Sequence, residues 1–282
     1  MKIKYYGTSA GAGIPEIFCS CRVCEHARRE RGKNLRTRSQ AVIDGVLGVD
    51  YSDVFQHTLH YGLDMRAIKH VLITHDHYDH FMAADILSRA EGMTEPIHFY
   101  FSEGTGATFA KKAQARKAKM SGANSNFNGN EVLVDTHFLD KLQSYDIAGY
   151  TVIPLAARHG AKEICAYIYI IQKDGKSVLW AHDTGKFPPE TMSFIQQSGI
   201  RFDLVSLDCT LKRGEQITAS HMDVDWCLET INALRQSGNA DDDTKVVLSH
   251  IGHLVERTHQ ELEDEVRPLG MQVAFDGMEI EI

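Results

Sequence analysis

Between Thr74 and Phe81 the chain reads His-Asp-His-Tyr-Asp-His, so that His75, His77, Asp79 and His80 place four metal-binding side chains within six residues. Imidazole nitrogen and carboxylate oxygen both bind borderline divalent cations. One tetrahedral site does not easily use two adjacent residues plus two alternating ones, so the spacing suits two metals. Asp76, between the first two histidines, is placed to orient a ligand or activate water. A second cluster, Cys19-Ser-Cys21-Arg-Val-Cys24, offers three soft sulfur ligands for a tetrahedral zinc. It lacks a fourth, for which His26 and His253 are equal rivals.

Ligands need rigid supports, and the apolar runs show where these lie. His70–Ile73 reads as a buried strand that delivers the His75 cluster at its end. The same context recurs at His159 after Tyr150–Leu155, at Asp183 after Val178–Ala181 and at His250 after Val246–Leu248. Loops at strand ends are where sites are assembled. His182 competes with Asp183, but a carboxylate can bridge two cations, which favours Asp183.

Further strands are expected at 3–6, 40–43, 46–49, 97–101, 131–134, 166–172, 204–207, 271–275 and 278–282. Asp44-Gly45, Asp174-Gly175 and Asp276-Gly277 read as hairpin turns. Helical periodicity marks 54–61, 83–91, 107–120, 190–198, 224–236 and 255–268. Hairpins early and strand–helix units later indicate an α/β sandwich, read as a single domain over residues 1–282. Two polar excursions, 121–130 and 237–244, read as surface loops. Gly7–Gly13 lacks the Lys-Ser/Thr ending of a phosphate-binding loop and reads as a tight turn. Asp276 is assigned no catalytic role.

The 282 residues, 43% hydrophobic and 24% charged, exclude disorder and fibrous classes. The anomaly is 15 histidines beside 6 cysteines. Met1–Tyr6 enters a strand without the apolar stretch a secretory signal needs, and no apolar run spans a membrane, so a cytoplasmic protein without membrane association is expected. The net charge of −8 repels nucleic acid unless bound cations reverse it locally.

The pattern HxHxDH followed by His, Asp and His at strand ends resembles the metallo-β-lactamase superfamily over nearly the whole chain. The resemblance implies a four-layer αββα sandwich, with His75, His77 and His159 on one metal, Asp79, His80 and His250 on the other, and Asp183 bridging. GTSAGAGIPEIFCSCRVC, THDHYDH, LDCT, SHIGH and FDGMEI together resemble the PhnP-like phosphoribosyl cyclic phosphodiesterases within it. That likeness implies His253 as fourth ligand of a structural zinc with Cys19, Cys21 and Cys24. It also implies His221 as a non-ligand catalytic histidine, with Asp79 catalytic as well as ligating. The segments 105–130 and 237–244 look expanded relative to the subfamily, as though flanking the mouth of the site.

The expected chemistry is hydrolysis of a small phosphodiester, cyclic and phosphoribosyl-like. Two ions lower the pKa of a shared water from about 15.7 to about 7, and His221 protonates the leaving oxygen. Affinity order favours Zn²⁺ for these ions and the subfamily favours Mn²⁺. A small-molecule substrate is expected, and a homodimer is compatible with the sequence. The alternatives are a tRNA-processing type of ribonuclease, for which Lys112, Arg116 and Lys119 on one helix face would contact phosphate, and a metal-binding sensor or scaffold without turnover. Thioester or lactam hydrolysis also stays open, because pocket walls choose the electrophile.

Overall fold

The computed structural model describes residues 1–88, 94–121, 134–160, 165–215 and 218–282. In chain order its elements are β1 (Lys2–Gly7), α1 (Arg22–Glu30), β2 (Gln40–Ile43), β3 (Leu47–Val49), α2 (Val54–Tyr61), β4 (His70–Leu72), α3 (Ala83–Ser88), β5 (Ile97–Phe101), α4 (Glu103–Ser121) and β6 (Val134–Phe138). There follow β7 (Tyr145–Ile147), β8 (Tyr150–Ala156), β9 (Tyr167–Lys173), β10 (Lys176–Ala181), α5 (Pro189–Ser198), β11 (Leu204–Asp208), α6 (Val224–Gln236), β12 (Lys245–Ser249), α7 (His259–Val266), β13 (Gln272–Val273) and β14 (Glu279–Glu281).

The strands form two sheets, ordered β14-β1-β2-β3-β4-β5-β6 and β13-β12-β11-β10-β9-β8-β7. Each sheet is antiparallel in its hairpin half and parallel where helices intervene. Period-two alternation sorts the side chains into layers. On β9 and β10, Tyr169, Ile171, Val178 and Trp180 face the inter-sheet core with Tyr5, Ile43, Val49 and Leu72. Ile168, Ile170, Leu179 and Ala181 face outward against α1, α5, α6 and α7 through Val23, Ile195, Ile231 and Leu262. Across the molecule, Val71, Ile73, Phe99 and Phe101 pack under Ile86, Leu87 and Phe109 of α3 and α4. The result is the expected αββα sandwich. Among the described residues no helix is long and apolar enough to cross a membrane.

Several sequence expectations are corrected. The chain from 271 to 282 is no hairpin: β13 pairs with β12 in one sheet and β14 with β1 in the other, so Asp276-Gly277 carries the chain between sheets. The helix expected at 255–268 begins only at His259, because Glu256 is left-handed (φ 54°) and Thr258 caps the helix reciprocally with Glu261. The strand expected at 131–134 is found from Val134 to Phe138, its first three residues lying outside the described residues, as do 89–91 of the helix expected at 83–91 and most of the 121–130 excursion. Helix α1 and strand β7 were not expected. Segment 237–244 does not flank the site. It joins the C-terminal end of α6 to the start of β12, opposite the strand ends that carry His250, and Asn239 is buried there with its Nδ2 donating to Ile195 O and Ile200 O. Lys112 is exposed on α4, while the side chains of Arg116 and Lys119 lie outside the described residues.

Asp276 has a structural task. Its buried carboxylate accepts from the backbone N–H and hydroxyl of Thr8 (3.0 and 2.7 Å) and of Thr37 (both 2.6 Å). This pins the Gly7–Gly13 turn, which meets Ile251 through Ser9. Asp276→Ala leaves those donors unpaired and is expected to cost roughly 2–4 kcal/mol in urea unfolding; an unchanged midpoint would remove this role.

Candidate metal centre

β4 ends at Leu72, and the next residues are fixed by Asp50, which follows β3. Asp50 Oδ1 accepts from Thr74 N (2.9 Å) and Thr74 Oγ1 (2.8 Å). Asp50 Oδ2 lies 2.7 Å from His80 Nδ1. An ionised carboxylate only accepts, so Nδ1 of His80 carries the proton and Nε2 is bare. Thr74 has given its proton to Asp50, so it accepts from His75 Nδ1 at 3.1 Å, leaving His75 Nε2 bare too. On the opposite sheet Asp208, at the end of β11, lies 3.1 Å from Nδ1 of His250, and His250 Nε2 is likewise bare.

These bare nitrogens converge on oxygens that also only accept. His75 Nε2 is 3.2 Å and His80 Nε2 3.1 Å from Asp183 Oδ2. His80 Nε2 and His250 Nε2 are 3.1 Å apart, with Asp79 Oδ2 3.5 Å from the former. His75 Nε2 and Asp183 Oδ1 are buried without a hydrogen bond. Lone pairs facing lone pairs in a dry site demand protons or cations between them, and the donor set therefore fits divalent ions. Two groups could hold them: His75, His77, His159 and Asp183, and Asp79, His80, Asp183 and His250, each with ligand atoms within 4.8 Å of one another. Asp183 belongs to both. His182, one residue earlier, points into the inter-sheet core, its Nε2 2.7 Å from Ser206 Oγ and its ring against Trp180. Asp76 is in neither group.

Electrostatics follow from the same crowding. Burial, with His80 adding to it, pushes the His75 imidazole down to about 4. Burial opposes charge on His250 as well, but the Asp183 and Asp208 carboxylates outweigh it and push that ring up to about 9, so that at Nε2 a proton and a cation compete for the same lone pair. For Asp79, burial is outweighed by His80 and His250, which hold its carboxyl well below the usual range. Asp50, Asp183 and His250 all have positive φ (63°, 54° and 56°), a turn that swings each side chain out of its strand direction.

His221 precedes α6, whose N-cap Asp223 accepts from Trp226 N. Its Nδ1 lies 3.0 Å from Asp183 Oδ1 and 3.1 Å from Asp208 Oδ2. Its side chain is 21% exposed, where His75, His80 and His250 are at 0–1%, so it reaches the mouth of the site. Gly185 permits this placement: a Cβ there would lie 1.8 Å from Ala219 O. Asp183, Asp208, His221 and His250 also form a group able to hold an ion, so His221 has the geometry of a ligand as well as of a proton donor. The sequence reading missed Asp50 and Asp208 as supports, although each follows a buried strand (LGVD, VSLD), the context that singled out Asp183.

The cysteines form a separate group with His253. His253 Nδ1 is 3.4 Å from Cys19 Sγ and 3.6 Å from Cys21 Sγ. Zn–S near 2.3 Å and Zn–N near 2.0 Å give a tetrahedral edge of about 3.6 Å, which fits. Cys24 lies in the first turn of α1, and His26 two residues on is turned about 200° around that helix, away from the sulfurs. Arg28 donates to Cys19 O and Glu16 O (both 2.6 Å), bracing the loop.

An αββα sandwich with overlapping His/Asp groups at its strand ends is the architecture of a metal-dependent hydrolase class. The sequence matches the family described as Beta-lactamase superfamily domain over residues 41–251, and the chain belongs to that superfamily. Solved structures with this fold include a diphosphatase from the PhnP family (20% identity, 100% and 97% of the two chains, TM-score 0.73) and Zn(2+)-bound PqqB from Methylobacterium extorquens (21%, 100% and 100%, 0.69). Human tRNase Z, short form, is a third (16%, 100% and 99%, 0.63). A curated relative, an octanoyltransferase of Porphyromonas gingivalis, is 25% identical over 99% of this chain, which spans about half (51%) of the relative's length.

Cys21→Ser is expected to lower zinc content by one ion per chain and to drop the melting temperature; retained zinc would dissociate these sulfurs from a metal. Asp50→Asn removes the fixed orientation of His80 and is expected to weaken active-site metal binding about 10–100-fold in chelator competition, against no change if Asp50 serves packing alone.

Proposed function

We propose that this protein is a metal-dependent hydrolase acting on a small phosphodiester, a cyclic phosphoribosyl-like one being the favoured case. The observation that carries the reading is the shared Asp183 carboxylate between two His/Asp groups, with His221 beside it at the mouth. Likeness in fold to a PhnP-family diphosphatase and to human tRNase Z supports phosphoester chemistry. His75, His77 and His159 would hold one divalent ion and Asp79, His80 and His250 the other, with Asp183 common to both; zinc and manganese both suit the donors. Such ions supply positive charge for phosphoryl oxygens and acidify water.

The chain's own residues do the rest. Asp50 and Asp208 hold His80 and His250 in one tautomer, so their Nε2 lone pairs stay aimed at the site. Because Nδ1 of His221 is engaged by Asp208, Nε2 is the atom left to meet the leaving oxygen and give it a proton. The second group, Cys19, Cys21, Cys24 and His253, would hold a structural zinc that ties the segment before α1 to the loop carrying His250. The reading also takes in a single functional domain, a small-molecule partner and a cytoplasmic setting.

A second reading, hydrolysis of an acyl ester or thioester, is favoured by the alignment with half of an octanoyltransferase. A substrate panel of bis(p-nitrophenyl) phosphate, cyclic nucleotides, pre-tRNA and octanoyl thioester separates the readings. Preferred turnover of small phosphodiesters supports the first, turnover of the thioester alone the second, and turnover of none leaves the sensor or scaffold. His221→Ala should slow phosphodiester turnover about 10²–10⁴-fold with metal content intact. Loss of metal along with activity would make His221 a ligand instead.

A further inference from the structure

The inter-sheet core stops short at one corner of the sandwich, beside the strand-end centre. Along the inner face of β8 the side chains shrink toward the end of the strand, from Tyr150 and Val152 to Pro154 and Ala156, because period two sends these four the same way. Ala156 has Tyr167 of β9 as its register partner. From the other sheet come Ser102, after β5, and Leu139, after β6. With residues as small as Ala156 and Ser102 in its wall, the corner holds a cavity of about 720 Å³. That volume lies within the roughly 300–1,000 Å³ of small-molecule sites. His159 is part of the same wall, so the cavity adjoins the group formed by His75, His77, His159 and Asp183.

The floor is fixed and the rim is not apolar. Tyr167 N donates to Thr74 O (2.9 Å), one residue before His75, and the Tyr167 hydroxyl donates to Leu139 O (2.9 Å). These bonds tie the floor to both sheets and to the ligand turn, and they occupy the phenol hydroxyl. Leu139 and Tyr167 are buried, and Ala156 and Pro188 add further carbon surface. Glu103, Asp140, Lys141, Arg158 and Glu190 also border the cavity, but all five are exposed, and Lys141 is paired with Glu190 at 2.8 Å. Among the described residues no buried charged side chain lines the floor. A charged group pushed onto it would lose its water without gaining a partner. The rim carboxylates also outnumber its cations by three to two, which disfavours a second phosphate.

We propose that this cavity is a subsite for an uncharged, apolar substituent of the substrate, an aryl ring or a short alkyl chain, while the phosphoryl group meets the ions at the His159 end. Ala156 sets the depth of the subsite and is the specificity-determining residue. The inference rests on the phosphodiester reading above and extends it: beyond the sugar-sized diester, the substrate carries an apolar group.

The test separates binding from turnover. Titration calorimetry on the metal-replete protein measures methyl-, phenyl- and hexylphosphonate, whose common head group meets the ions. Phenyl- or hexylphosphonate is expected to bind about 10-fold or more tighter than methylphosphonate; the better of the two identifies ring or chain. Ala156→Phe is expected to abolish that advantage while leaving methylphosphonate affinity unchanged, and Ala156→Val, which suits a strand, to reduce it if the larger side chain prevents folding. The kcat/KM ratio of phenyl to methyl p-nitrophenyl phosphate should fall in parallel. Equal behaviour of the three phosphonates in wild type, or an advantage undiminished in a folded variant, would overturn the subsite even if diesters are hydrolysed. A binding advantage removed by Ala156→Phe without turnover of either diester would uphold the subsite and overturn the phosphodiester reading instead.

Discussion

Four aspartates at the strand ends, Asp50, Asp79, Asp183 and Asp208, are each no more than 6% exposed and lie within reach of the same imidazoles. Buried carboxylates survive only when matched by positive charge and hydrogen bonds. Here the hydrogen bonds of Asp50 and Asp208 are spent on fixing tautomers, and the oxygens of Asp79 and Asp183 face bare nitrogens. Two divalent ions would match those four negative charges one for one. The sandwich positions the strand ends, but the charge requirement explains why these residue types occupy them.

The two sheets contribute differently. The first supplies the contiguous His75–His80 turn, braced from beneath by Asp50. The second supplies single residues from successive loops, His159, Asp183, Asp208 and His250, brought into line by strand register. Asp183 lies where the two contributions meet, in contact with His75 and His80 from one sheet and with His159 from the other. Asp276 and the cysteine group act further out, holding the Gly7–Gly13 turn and the segment around His253 against this centre.

The chemistry was legible in sequence where ligands are contiguous or follow an apolar run, as at His75–His80, Asp183 and His250. Asp50 and Asp208 follow such runs as well, yet an aspartate alone does not disclose that it faces an imidazole rather than solvent. Helix α1 was hidden because the cysteine spacing dominates the reading of residues 19–24, and β7 because three residues carry little periodicity. Asp276-Gly277 misled for a different reason: the dipeptide specifies a turn, and only sheet pairing tells a hairpin from a crossing between sheets. The fourth member of the cysteine group was undecided by spacing and followed the family resemblance. In the structure, helix geometry turns His26 away and the 3.4 Å contact brings His253 in.

Anomalous diffraction from crystals of the metal-replete protein, recorded on both sides of the zinc and manganese edges, tests the central claim most directly. The account predicts two peaks flanking the Asp183 carboxylate, one toward His75, His77 and His159 and one toward Asp79, His80 and His250. A single peak beside Asp208 and His221, or none within reach of Asp183, would contradict it.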